Sequence, residues 1–187
     1  MPSSNKSTTK SSTASKKTKS KQAETPMDAI KLLTADHREV KALFRDYQDL
    51  VDDEAADEDK HPIAQQICLL LTVHAQIEEE IFYPAARDAI KEAELVDEAT
   101  VEHATAKDLI AQLTSSDPSD ELFDAKVKVL GEYIDHHVKE EESELFPQAR
   151  KAKMDLKQLG DVLEARKAEL MQEMGQSEEQ PEEESVE

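Results

Sequence analysis

Apolar residues recur along most of this chain at alternating intervals of three and four positions, the spacing of one face of an α-helix. The clearest stripe is Ile30, Leu33, His37, Val40, Phe44, Tyr47 and Val51. We expect this first helix to begin at Thr25 and Pro26, with Asp28 in its first turn, because these residue types favour helix N-termini. The acidic run 52–59 should end the helix and form an exposed loop.

Three further stripes predict three more long helices. The second helix should begin near Pro62 and kink or end at Pro84, the third should span about 94–114, and the fourth about 119–150. Each stripe contains one histidine: His74, His103 and His137. Short connections between long helices favour an all-α fold with an up-down-up-down four-helix bundle. A short fifth amphipathic helix is expected after Asp155, appended to the bundle.

The two ends of the chain differ from its middle. Of 187 residues, 37% are hydrophobic, three are glycine and none is tryptophan, a composition that favours helices. Segment 1–24 is rich in Ser, Thr and Lys, and segment 175–187 is acidic. Both tails should be disordered, because they have too little apolar surface to offset the entropy of ordering. The predicted domain therefore covers 25–174.

The charge and the single cysteine limit the partners and the compartment. A net charge of −20 should repel phosphate backbones, so we expect no nucleic-acid binding by the folded part. The Lys-rich N-terminal tail has an unknown partner and is the one segment that could reach DNA, RNA or an anionic membrane. No apolar run approaches the roughly 18 residues of a membrane span. Cys68 alone cannot form an internal disulfide, so we expect a cytoplasmic protein with Cys68 as a small buried hydrophobe.

One motif occurs twice, at an offset of 63 residues from His74 to His137. The first copy reads His74-Ala-Gln-Ile-Glu78-Glu79 with Pro84 and Arg87 after it, and the second reads His137-Val-Lys-Glu-Glu141-Glu142 with Pro147 and Arg150 after it. In both copies the histidine and the first glutamate are four positions apart, so they share a helix face. One helix earlier stand the pairs Asp36-His37 and Glu102-His103.

Four imidazoles and two carboxylates on inner faces would be costly in an apolar core unless they coordinate a metal. The predicted ligands are His37, His74, Glu78, His103, His137 and Glu141. Imidazole with carboxylate suits Fe, Mn, Zn or Co. Six ligands suit two ions better than one, since a structural zinc needs four. Glu78 and Glu141 can each bridge two ions, as in di-iron carboxylate sites of helix bundles.

This pattern resembles the hemerythrin-like HHE cation-binding domain over about residues 27–172. The resemblance implies a four-helix bundle with a non-haem di-iron centre that interacts with O2, peroxide or nitric oxide. It also implies the roles of the ligands: one iron on His37 and His74, the other on His103 and His137, and bridges from Glu78 and Glu141.

One residue departs from the oxygen-carrying hemerythrins, which have a second histidine one turn after the third-helix histidine. Lys107 stands at that place. The second iron would then be more open, or completed by solvent or another side chain, and Tyr133 is a candidate, although packing is its favoured role. The departure disfavours stable O2 carriage. It fits the bacterial HHE proteins, for which peroxide decomposition, gas sensing and iron handling are proposed.

Other polar residues near the motif are expected to have ordinary roles. Asp36 and Glu102 are expected to be surface charges and His61 to be exposed, whereas His136 is expected to be either exposed or a neighbour of the ligands. For Glu79 and Glu142 two roles stay open: hydrogen bonding to the ligands, or a solvated helix face.

The sequence therefore predicts a non-haem di-iron protein that reacts with or senses O2, peroxide or nitric oxide, in stress defence or iron handling. Catalase-like peroxide decomposition is the enzymatic activity such a centre could have. The alternative is a non-enzymatic metal-binding or sensor module that acts through a protein partner. A third reading is a structural bundle with zinc or no metal.

Overall fold

The computed structural model describes residues 28–177, with side chains described to residue 174. In this range it contains seven α-helices and two π-helical turns. The α-helices are α1 (Ala29–Asp52), α2 (Asp57–Ile77), α3 (Tyr83–Ala89), α4 (Glu94–Ser115), α5 (Phe123–Glu140), α6 (Phe146–Lys151) and α7 (Leu156–Ser177). The predicted N-terminal tail, Thr25, Pro26 and the acidic tail beyond Ser177 lie outside the described residues.

Helix α1 begins at Ala29, later than the start predicted at Thr25 and Pro26. Asp28 is the N-cap, and its carboxylate accepts a hydrogen bond of 2.9 Å from the amide of Lys31. Asp28 therefore precedes the helix, and the prediction that it lies inside the first turn is wrong. The reason is that a carboxylate just before the helix satisfies an amide that has no partner within it. Helix α1 ends at Asp52, at the start of the acidic run.

Helix α2 begins at Asp57, five residues before Pro62, so the predicted start is wrong. Three acidic residues, Asp57, Glu58 and Asp59, occupy its first turn. Negative charge stabilises a helix N-terminus, and one proline near that end removes only one helix hydrogen bond. Of the acidic run, Asp52 therefore belongs to α1 and residues 57–59 belong to α2, so the loop is limited to 53–56.

Helices α4 and α5 are joined by a longer turn than the sequence predicts. The third helix was expected over about 94–114, and α4 confirms it. The fourth was expected from about 119, but α5 begins at Phe123. The Asp117 carboxylate accepts hydrogen bonds from the amide and the hydroxyl of Ser119, at 2.9 and 2.7 Å, which favours a turn over a helix here.

Neither Pro84 nor Pro147 ends its helix at once. A π-helical turn, Glu78–Phe82, joins α2 to α3, and a second one, Glu141–Leu145, joins α5 to α6. Each proline lies in the first turn of the short helix that follows. The hydrogen bonds of a π-turn span five residues, as from the amide of Tyr83 to the carbonyl of Glu78. The widened turn places the proline where a helical segment starts, so its missing N–H costs no bond.

The four long helical segments form the predicted all-α up-down bundle. Helix α1 packs on α2 and α5, and α4 packs on the same two neighbours. The fifth helix predicted after Asp155 is α7, but its 22 residues make it as long as α4, so the prediction that it is short is wrong. It packs against α1, α2 and the first π-turn, and it buries Leu163 and Leu170. No helix in the part of the chain that the structure describes could span a membrane.

Two apolar clusters fill the bundle, and the predicted ligands lie where these clusters meet. Along α1, Leu33 belongs to one cluster and Val40 to the other, with His37 between them. Along α4, Ala99 and Ala106 flank His103 in the same way. Because the helices are antiparallel, the histidines of all four reach one level of the core, as the spacing predicts.

Cys68 is buried in the same apolar cluster as Val40. Burial raises the pKa of its thiol to about 11, although a hydrogen bond with Thr114 acts in the opposite direction. A thiol held neutral in an apolar cluster packs as a small hydrophobe, which confirms the prediction for Cys68.

Candidate metal centre

The four stripe histidines form two pairs inside the bundle. The Nε2 atoms of His37 and His74 are 3.1 Å apart, and those of His103 and His137 are also 3.1 Å apart. All four side chains are buried. Each pair joins the two helices of one hairpin, α1 with α2 and α4 with α5. The inner nitrogens of each pair therefore point at a shared space.

Glu78 and Glu141 lie between the two pairs. One oxygen of Glu78, Oε2, is 3.2 Å from Nε2 of His74 and 3.4 Å from Nε2 of His103. Oε2 of Glu141 is likewise 3.3 Å from Nε2 of His37 and 3.6 Å from Nε2 of His137. Each carboxylate therefore contacts one histidine of each pair through a single oxygen.

The bonding of these carboxylates fits a cation. Glu78 is fully buried, and neither of its oxygens has a hydrogen-bond partner; Oε2 of Glu141 also has none. Buried carboxylate oxygens without partners are costly. Ligands about 2.1 Å from one ion, at right angles, are about 3.0 Å apart. The spacings of 3.1 to 3.3 Å among His37, His74, Glu78 and Glu141 are close to that value.

Among the described residues, three groups of donor atoms are compact enough for one ion each, and two of these groups are fully buried, whereas the third, Glu102, His136 and Glu140, is partly exposed. The first group is His37, His74, Glu78 and Glu141, and the second is Glu78, His103 and His137. The structure thus brings together all six residues that the sequence selects. That these six residues bind metal ions stays a prediction.

A carboxylate faces the outer nitrogen, Nδ1, of every one of the four imidazoles. The distances are 3.0 Å for Glu142 to His37, 3.5 Å for Asp36 to His74, 3.0 Å for Glu79 to His103 and 2.7 Å for Glu102 to His137. Such partners fix the ring orientation and direct the Nε2 lone pair inward. Two of these contacts cross between hairpins, because Glu79 and Glu142 come from the π-turns.

The expectation that Asp36 and Glu102 are plain surface charges is wrong. Each lies on its helix one position before a predicted ligand, and there it faces the histidine of the neighbouring helix. Helical periodicity predicts the helix face on which a residue lies, but it does not predict which side chain of a neighbouring helix that residue contacts. The question left open for Glu79 and Glu142 is also answered, since both contact ligand imidazoles.

Charge inside the centre shifts several pKa values. Burial lowers the pKa of His137, but the hydrogen bond with Glu102 and the charges of Glu141 and Glu78 outweigh it and raise that pKa to about 9. The pKa of His37 is also raised, because Glu141 and Glu78 outweigh burial. Metal ions bind neutral imidazole, so binding here must release protons and weaken as the pH falls.

The place of the missing histidine is occupied by an ion pair. Nζ of Lys107 is 2.7 and 2.6 Å from the two oxygens of Glu79, and its side chain is partly exposed. Tyr133 packs against the apolar cluster that contains Val40 and Ala106. This contact agrees with the packing role favoured for it. Tyr83 instead reaches the second pair: its hydroxyl donates to Glu141 at 2.9 Å and lies 3.2 Å from Nε2 of His103.

Tyr83 was missed in the sequence although the repeat contains a signal for it. At the offset of 63 residues, Tyr83 corresponds to Phe146. The two rings have matching places, since Phe146 stacks on His37 at 5.8 Å and Tyr83 stacks on His103 at 5.3 Å. One hydroxyl thus distinguishes Tyr83 from its counterpart Phe146 in the other half of the centre. Burial, Glu141 and Glu78 raise the pKa of Tyr83 well above its ordinary value, so the phenol keeps its proton.

The remaining histidines differ from each other. His136 is exposed, one of the two positions expected for it, and lies near Glu140 and Glu102. His61 lies inside α2 and is half-buried, with its Nδ1 enclosed and without a hydrogen-bond partner. The expectation of an exposed His61 is therefore wrong, because α2 starts earlier than Pro62.

A small cavity of about 20 Å³ adjoins the centre. All four predicted ligand histidines line it, together with apolar side chains that include Val40, Leu71, Ala106 and Ile134. One water-sized molecule needs roughly 10–15 Å³ by this measure. The cavity is therefore large enough for one water-sized molecule.

We predict that Tyr83→Phe keeps the metal content and the fold but slows peroxide consumption. The phenol is the hydroxyl closest to the paired imidazoles, and general acid catalysis contributes roughly 10²–10⁴-fold. The rate per bound metal should fall by about 10²-fold. Tyr133→Phe is the matched control and should change the rate less than about twofold, because Tyr133 packs against an apolar cluster whereas Tyr83 donates to Glu141. Equal rates for wild type and Tyr83→Phe would contradict this role.

Buried imidazoles and shared carboxylates in an antiparallel helical bundle define a class of protein, the helical cation-binding proteins. The model of the family described as "Hemerythrin HHE cation binding domain" matches residues 28–149. The chain belongs to this family.

One solved structure supports the same fold, and one further relative is similar in sequence. A hemerythrin HHE cation-binding domain-containing protein from Mycobacterium kansasii has a crystal structure that matches with a TM-score of 0.68 at 24% identity, covering 81% of this chain and 91% of that one. A protein named DNA nickase, from Nostoc sp., is 30% identical over 151 residues, or 80% of this chain. The chain spans only 42% of that relative's length.

Proposed function

We propose that this protein is a non-haem di-iron protein that reacts with peroxide, O2 or nitric oxide in stress defence or iron handling. Peroxide decomposition is the activity that its residues support best. The observation that carries the proposal is the position of Glu78 and Glu141, each in contact with one histidine of both pairs. Two ions held by shared carboxylates would supply paired one-electron redox chemistry to a small oxidant.

The donor types support iron among the candidate metals. Four imidazoles and two carboxylates, with no thiolate near them, suit Fe or Mn better than a thiolate-seeking metal. A structural zinc would need four ligands and no open position. Here six donors are divided between two groups beside a cavity, so space for a small ligand is left at the centre.

The chain's own residues have distinct roles in this proposal. Outer carboxylates orient the imidazoles, and the apolar wall of the cavity excludes bulk water and larger molecules. The hydroxyl of Tyr83 holds a proton between Glu141 and His103, where a reacting peroxide oxygen could take it. The second half of the centre is therefore the proposed place of reaction.

The first test is the metal content of protein purified without added metal or chelator, measured by elemental mass spectrometry. We expect close to two irons per chain, and rapid consumption of hydrogen peroxide in proportion to iron. Zinc alone, or no metal after anaerobic ferrous loading, would contradict the di-iron proposal. Two irons with no reaction towards peroxide would favour the alternative, a sensor module that signals through a protein partner.

DNA strand cleavage is a second candidate function, suggested by the name of the Nostoc relative. The net charge of −20 disfavours binding of duplex DNA by the acidic body, whereas six lysines precede residue 22. The tail is therefore the part of this chain that could approach DNA, whereas the predicted metal ligands are buried.

Conversion of supercoiled plasmid to open circles tests this second function. Wild type, a form lacking residues 1–24 and a double variant Glu78→Gln, Glu141→Gln should be compared with added catalase, which removes peroxide-driven damage. Nicking that needs both the tail and the glutamates would support the function. Nicking that catalase abolishes, or that the double variant retains, would exclude it as an activity of this centre.

A further inference from the structure

Helix α7 lies outside the matched family domain, which ends at residue 149, yet it reaches the metal centre. Nζ of Lys167 is 2.6 Å from Oδ1 of Asp36, the carboxylate that faces His74. On the same helix, Nε of Arg166 is 2.8 Å from Oε2 of Glu80 in the first π-turn. Two consecutive cations of α7 thus hold residues next to predicted ligands.

Lys167 occupies a position that packing alone would give to an apolar residue. It stands four residues after Leu163 and three before Leu170, both fully buried, so it shares their helix face. A lysine on an inward stripe is costly unless it is paired. Its ion pair with the mostly buried Asp36 accounts for its presence there.

The contact between Asp36 and His74 is the loosest of the four outer contacts. It measures 3.5 Å, against 2.7 to 3.0 Å for the other three. Both Nδ1 of His74 and Oδ2 of Asp36 are buried and have no hydrogen-bond partner. The other oxygen of Asp36, Oδ1, is the one that Lys167 binds, at 2.6 Å.

A second lysine in the centre shows that a cation by itself does not loosen such a contact. Lys107 binds Glu79 as closely as Lys167 binds Asp36, yet Glu79 remains 3.0 Å from Nδ1 of His103. Lys107 and His103 are on the same helix, whereas Lys167 approaches from a different one. The two lysines therefore approach their carboxylates from different helices, and this difference distinguishes the surroundings of His74 from those of His103.

We propose that Lys167 is a positioning residue through which α7 controls how strongly His74 donates to its metal ion. An imidazole whose Nδ1–H bonds to a carboxylate is a stronger donor and favours the oxidised metal. Holding Asp36 away weakens this donation at one imidazole of the first pair. The first half of the centre should thus have a higher reduction potential than a tight Asp36–His74 bond would give. This inference rests on the proposed iron centre.

The variant Lys167→Met tests it while preserving the packing of α7, because methionine fits an apolar stripe. Two measurements on the full chain are needed. In metal-free protein with ¹⁵N-labelled histidine, the Nδ1–H signal of His74 should move downfield as Asp36 forms the bond. In iron-loaded protein, a tenfold gain for the ferric form would lower the midpoint potential by about 59 mV.

Three control variants separate positioning from general effects. Lys167→Arg restores the cation and should return both readouts to wild-type values. Lys157→Met removes an exposed lysine of α7 that pairs only with its own helix neighbour Asp161 and should change neither readout. In an Asp36→Asn background, Lys167→Met should have no further effect, because its action passes through Asp36.

Unchanged readouts in Lys167→Met, or equal shifts in Lys157→Met, would overturn the inference. Wild-type protein that binds no iron would defeat the proposed function, and the nuclear magnetic resonance readout on metal-free protein would still decide this inference. The two failures are therefore distinguishable.

Discussion

Replacing both Glu78 and Glu141 by glutamine should abolish the stabilisation of this protein by metal ions. A ligand that binds only the folded state stabilises it by about 2.7 kcal/mol at 100 times its dissociation constant, and by about 4.1 kcal/mol at 1,000 times. Wild type should show a gain of this size on loading with ferrous iron under anaerobic conditions. The double variant should show none, because an amide is a poor bridge between two cations.

Thermal melting with and without iron, together with metal content per chain, checks this prediction. Glu144→Gln is the matched control: it makes the same change in the second π-turn at an exposed position. It should keep both the two ions and the shift in melting temperature. If the double variant still binds two ions with undiminished stabilisation, the carboxylates are not bridges and the ligand set is wrong.

Replacing Phe82 by alanine should cause the second large effect, a loss of about 3–5 kcal/mol in the free energy of unfolding. Phe82 has no exposed surface and packs edge-to-face on Phe146, with ring centroids 5.5 Å apart. Phe146 in turn stacks on His37. The cavity left by the phenyl ring would therefore loosen both the core and one wall of the first histidine pair.

Urea unfolding of metal-free protein, followed by circular dichroism, measures this loss without any contribution from metal binding. Val101→Ala is the control, because Val101 is 67% exposed and should cost less than about 0.5 kcal/mol. A loss below about 1 kcal/mol for Phe82→Ala would mean that the core relaxes around the missing ring. The ring would then have no role in supporting the centre.

Local patterns in the sequence were sufficient for the helices and for the six predicted ligands. A helix periodicity is a property of neighbouring residues, so the stripes of His37, His74, His103 and His137 could be read directly. The spacing of four between His74 and Glu78, repeated at His137 and Glu141, needed no knowledge of packing. The helix boundaries were less certain because a helix start depends on competing caps, as at Asp28 and Asp57.

The hydrogen-bond partners of the ligands depended on the tertiary structure. From the sequence alone, Asp36 and Glu102 are expected to be surface charges. Only the packing of the helices places their carboxylates next to imidazoles of neighbouring helices. Tyr83 is separated from His103 by 20 residues and from Glu141 by 58. Such contacts depend on the rotation and depth of helices, which local spacing does not determine.

The sequence by itself thus determined that this is an all-α bundle with two histidine–glutamate motifs turned inward. Tertiary structure decided which carboxylates share two histidine pairs, which half of the centre has the phenol, and that α7 places Lys167 against Asp36. The physical reason is a difference of range. Amphipathic periodicity acts along one helix, whereas the charge and geometry of a metal centre arise from side chains that meet only when several helices pack together.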